Sequence, residues 1–156
     1  MTTVKEPVGP SIQVSVQQLD RMREKLAAWG DRLRKPKGLA SGIAALMETQ
    51  VRRRIQDEKT DPDGRAWRGW AQSTAEQRKA NHSLLLMEGR LRDSIVGKAL
   101  NGNTVVVGSS MVYANVHQYG WPERNIDARP YLGLSQDNED EILEMVLDWC
   151  DPARGA

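Results

Sequence analysis

The chain has 156 residues, 39% hydrophobic and 28% charged, which suits one domain with a real core and is too short for two full ones. No apolar run approaches the roughly 20 residues that a membrane-spanning helix needs, the polar, Pro-interrupted Met1–Pro10 carries no secretory h-region, and the single Cys150 excludes an internal disulfide or a Cys-rich metal site. Net charge is +1, yet residues 1–80 hold 16 basic and 10 acidic side chains against 6 and 11 in residues 81–156, so the halves differ in sign.

In chain order, Ile12, Val14 and Val16 alternate with polar residues and predict a short strand. From about Gln17 to Arg34, Leu19, Met22, Leu26, Trp29 and Leu33 fall on one stripe of an amphipathic helix. Lys35-Pro36-Lys37-Gly38 breaks it. A second helix follows, with Ile43, Met47, Val51 and Ile55 one turn apart and Leu46 beside them, ending before the turn formers Asp61-Pro62-Asp63-Gly64. After an irregular stretch with Trp67 and Trp70, Ser73-Thr74-Ala75-Glu76 matches a capping box for a short helix to about Asn81. Leu84, Leu85, Met87, Leu91 and Ile95 predict another short helix despite Gly89. Two β-prone runs around Asn101-Gly102-Asn103 predict a hairpin over 95–109. A short helix over 111–118 and an extended stretch over 125–134 lead to Ser135, an N-cap for a final acidic helix carrying Ile142, Leu143, Val146 and Trp149. The predicted class is α+β: a small antiparallel sheet packed against two long amphipathic helices plus shorter ones. It forms one domain over 11–151, between a polar arm (1–10) and a short tail (152–156).

Catalytic and metal chemistry find no constellation. The two His, His82 and His117, lack ligand spacing and a Cys neighbour. Asp61-Pro62-Asp63-Gly64 opens like a calcium loop but has its Gly two positions early and Gln72 where a Glu is needed. No Gly-x-Ser-x-Gly elbow or phosphate loop is present. These absences predict no enzyme, metal or cofactor. Arg52, Arg53 and Arg54 fan out by about 100° each on a helix. With the basic residues of the first helix they make a candidate surface for subunit contact or for non-specific contact with passing DNA.

All three Tyr fall in two strings, Tyr113-Ala114-Asn115-Val116-His117-Gln118-Tyr119-Gly120 and Ala128-Arg129-Pro130-Tyr131-Leu132-Gly133. They predict a rigid junction in which His117 hydrogen-bonds backbone between Tyr113 and Tyr119. Arg129, directed by Pro130, projects to clamp a carboxylate. Together with Pro62-Asp63-Gly64, Trp67, Ser73-Thr74 and Leu86-Met87-Glu88-Gly89-Arg90-Leu91-Arg92-Asp93-Ser94-Ile95, these strings resemble the phage virion morphogenesis, or tail-completion, proteins of tailed bacteriophages. The resemblance covers about residues 40–150, and Trp70 departs from it where a smaller aliphatic is expected. It implies a non-enzymatic component of the phage neck or tail that forms a ring, commonly sixfold, around the DNA channel. Its partners are itself and neighbouring neck and tail proteins. It is made in the host cytoplasm and carried in the virion. Asp63, Gly64, Trp67, Gly89, Leu91, Ser94, Tyr113, His117, Gln118, Tyr119, Gly120, Arg129, Pro130, Tyr131 and Gly133 are then its structural and assembly residues. A rival reading is a DNA-binding accessory protein using the basic N-terminal helices.

Overall fold

The computed structural model describes residues 16–34, 38–102 and 104–151, and the chain divides into two compact units, Met1–Lys35 and Pro36–Ala156. In the first unit, helix α1 spans Val16–Arg34, as the 3-4-3-4 spacing predicts. Arg32 and Arg34 in its last turn complement the helix dipole. Met22, Leu26 and Leu33 are exposed. The strand expected around Ile12 and Val14 lies outside the described residues, and Val16 opens the helix instead.

The second unit is built on α2 (Leu39–Arg53). Gly38 precedes it at φ 92°, a conformation that favours glycine. Instead of ending, α2 widens into a π-helical turn, Arg54–Glu58, closed by Lys59 in the left-handed region. A hairpin crosses this helix: β1 (Ile95–Asn101) pairs antiparallel with β2 (Thr104–Ser109), Ile95 opposite Ser109 and Ala99 opposite Val105. The Asn-Gly signal places this turn correctly. Contact between α2 and β1 is close enough that a Cβ on Gly97 would run into the carbonyl oxygen of Ala44. At the same place Glu48 accepts from the Gly97 N–H (2.8 Å) and Arg52 donates to the Ile95 carbonyl (2.9 Å). Arg52 and Glu48 are themselves paired at 2.9 Å.

The core gathers Val51, Ile55, Trp67, Leu91, Ile95, Ala114 and Tyr131. Ile55 and Ile95 are fully buried, each contributing about 1.5–3 kcal/mol by removal from water. Helix α6 (Gln136–Cys150) packs on α2. Ser135 caps it as expected, its side chain accepting from the Asn138 N–H while Asn138 accepts from the Ser135 N–H. The architecture is α+β, as the sequence predicts.

Three local expectations are corrected. The helix expected over 84–95 is a single turn, α4 (Arg90–Asp93). Gly89 at φ 78° and Leu85 at φ 56° interrupt the helical path before it, and Ser83 bridges Leu86. The Ser73–Glu76 capping box does not form. Helix α3 (Gln72–Gln77) starts two residues early with Ala71 at its N-cap, and Glu76 accepts from Gln72 instead. The helix expected over 111–118 is α5, Ala114–Tyr119.

Candidate functional site

The two Tyr-bearing strings form one junction held mainly by backbone. The Arg129 N–H donates to the His117 carbonyl (2.7 Å). The Gln118 side chain works as a short strand partner: its Oε1 accepts from the N–H groups of Tyr131 and Leu132 (both 3.0 Å), and its Nε2 donates to the Leu132 carbonyl (3.3 Å). Tyr131 is 1% exposed and its hydroxyl donates to the Ala114 carbonyl (3.2 Å). Burial, then the neighbouring Tyr119, pushes that phenol up to about 12. Gly120 ends α5 at φ 77°, where a Cβ would sit 2.9 Å from both Ala128 N and Ile126 O. The returning chain therefore passes too close for a side chain.

The loop after α2 locks onto this junction. Asp61 closes it by accepting from the N–H groups of Gly64 and Arg65. Gly64 takes φ 80°, and Asp63 stands at the exposed tip, 3.3 Å from Arg65. Pro62 lies against Gly133, whose Cβ would be 2.5 Å from Pro62 Cγ. Trp67, 7% exposed, donates its indole N–H to the Pro130 carbonyl (3.0 Å). Gly89 and Leu91 position α4. Ser94 links it to the hairpin, bonding the Leu91 carbonyl and the Ser109 hydroxyl, each at 2.7 Å.

Sequence reading missed the centre of this arrangement. Arg54 is fully buried. Its Nη1 donates to the carbonyls of Tyr131 (3.2 Å) and Gly133 (2.7 Å), its Nη2 to Asn138 Oδ1 (2.6 Å), and Glu58 lies 3.5 Å from its Nε. Burial pulls its pKa down, with Glu58 opposing. Gln50, also buried, donates to the Asn138 carbonyl and to Glu141. Arg54 is thus removed from the candidate DNA or subunit surface. The other two arginines are tied down as well: Arg52 to Glu48 and Ile95, Arg53 to Glu58 and Glu141, whose hydrogen bonds raise the Arg53 pKa. No local pattern marks Arg54 as internal, since its acceptors lie 77 to 84 residues downstream.

Beside the junction lies a cleft of about 510 Å³. Trp70, Leu85, Met87, Tyr113 and Ile126 supply apolar walls, and His117 and Arg129 reach it as well. The Tyr113 and His117 rings meet edge to face, with centroids 5.7 Å apart. His117 does not make the expected side-chain bond to backbone. Its Nδ1 is buried without a hydrogen-bond partner among the described residues. Burial and the nearby Arg129 charge both hold its pKa below the usual value. Arg129, 8% exposed, clamps two backbone carbonyls rather than a carboxylate: Arg68 O at 3.1 Å and Gly69 O at 2.8 Å. Tyr119 is 76% exposed and so does not enclose His117. The described residues contain no His, Cys, Asp or Glu group able to hold a metal, and no helix among them is long and apolar enough to cross a membrane.

Residues 14–151 match the model of the phage virion morphogenesis family, a span that takes in the junction, the cleft and both long helices. The chain is 29% identical over 122 residues to a protein of Escherichia phage Mu named "Putative capsid assembly protein G", covering 71% of this chain and 74% of that one. No solved structure matches.

Proposed function

Because the chain belongs to the phage virion morphogenesis family, we propose that it is a structural component of a tailed-phage neck or tail, a tail-completion or head–tail joining protein. It assembles as a sixfold ring around the DNA channel and docks to neighbouring virion proteins. The family match over 14–151 is the observation that carries this reading, and the assembly role in the Mu relative's name agrees with it. The site chemistry is in keeping. Gln118, Trp67, Tyr131 and Arg54 spend their polar atoms on the chain's own backbone, which makes a stiff body suited to shape-based docking. A ring of identical subunits needs two different complementary surfaces on each copy. The protein acts by contact rather than by chemistry, and it moves from the host cytoplasm into the finished particle.

Electron cryo-microscopy of particles made with a tagged chain tests this. A ring of the chain at the head–tail junction or tail end is expected. Complete particles that contain none of it would overturn the reading.

A further inference from the structure

The cleft beside the junction combines apolar walls with the guanidinium of Arg129. Arg129 is nine-tenths buried, holds two carbonyls through Nε and Nη2, and takes part in no ion pair among the described residues. Of the carboxylates that line the cleft, Glu88 pairs with Arg90 (2.8 Å) and Asp127 with Arg68 (3.0 Å), and the Asp127 charge also acts on Arg129 without forming an ion pair with it. A guanidinium withdrawn from water calls for a counter-charge. The His117 ring borders the same space, with its Nδ1 enclosed and unbonded among the described residues. Met87, 57% exposed, stands in the wall. The cleft therefore fits a carboxylate presented next to a bulky apolar side chain.

The chain carries that pair on another face. On α6, Leu143 is 54% exposed and follows Glu139 by one turn, so the two side chains are neighbours on the helix surface. Glu139 is exposed too. Neither residue lines the cleft, so a contact between the two surfaces on different copies is head to tail.

We propose that the cleft receives α6 of a second copy, with Glu139 facing Arg129, and Leu143 against Trp70 and Met87. The Arg129 charge attracts the incoming carboxylate. This contact rests on the ring reading and names its interface.

Two variants of the full chain test it, each spoiling one surface at an exposed position. Met87→Glu puts a like charge at the cleft and leaves α6 intact. Leu143→Arg spoils α6 and leaves the cleft intact. In sedimentation velocity the wild type should associate with rising concentration, and each variant alone should do so at least about tenfold more weakly. Mixed, the two should form a one-to-one dimer that grows no further, because each contributes one working surface. A wild type that stays monomeric at every concentration would overturn the proposal, as would a mixture that forms no dimer. Association unaffected by either variant would overturn it as well. If particles still show a ring of the chain, such results reject this contact and leave the assembly role standing.

Discussion

Arg54 and Arg129 both secure the stretch around Pro130, and both are withdrawn from water, but their surroundings differ. Arg54 has three hydrogen bonds to acceptors of its own chain and a carboxylate 3.5 Å away. Arg129 has two backbone carbonyls, no ion-paired carboxylate among the described residues although the Asp127 charge acts on it, and an apolar cleft beside it. Around Arg54 the polar groups hold the fold. Around Arg129 the same string is stiffened while charge and apolar surface stay available to a partner. One junction thus has a closed face and an open one.

The comparison can be broken at the closed face. Arg54→Met leaves the Tyr131 and Gly133 carbonyls and Asn138 without their donor, and should lower unfolding free energy by about 3–5 kcal/mol in urea titration. A loss under about 1 kcal/mol would show that this face does not hold the fold. Gly133→Ala tests the same face through shape. Its Cβ would press on Pro62 Cγ at 2.5 Å, with the backbone at φ 141°, and a loss of roughly 1–3 kcal/mol is expected. No change would mean that the Pro62 loop moves aside freely.

The open face is probed more gently by pH. The His117 pKa is lowered in the folded chain, by burial first and by Arg129 second. The unfolded chain then binds the proton more readily, so stability is fully present above the ordinary histidine value near 6.5. It falls as pH drops through the lower folded value. Thermal melts between pH 7.5 and 5 should show this decline, and His117→Gln should flatten it. An unchanged slope in the variant would place the acid sensitivity elsewhere.

How far the sequence revealed this depended on the range of the interactions. Helices α1, α2 and α6 repeat apolar residues with helical spacing, Asn101-Gly102 marks the hairpin, and Ser135 is a local cap, so all were legible. The leucines at 84–91 mimic a helix, but the left-handed turns at Leu85 and Gly89 win locally. Three adjacent arginines read as a surface for subunit contact or passing DNA, because the acceptors that bury Arg54 come from a distant part of the chain. Gly97 carried no signal either. It is needed because the backbone of α2 crosses β1 there, a contact set by tertiary packing. Of the candidate site, the two strings stood out by their aromatic content, but the division into a closed and an open face did not.

The proposed contact makes folding and docking separable on this junction. It is tested most directly by measuring the unfolding free energy of Met87→Glu alongside the yield of complete particles made with it. Stability within about 0.5 kcal/mol of wild type is expected, as for an ordinary exposed site, together with a clear loss of complete particles. Normal particle yield from a stable Met87→Glu protein would contradict it.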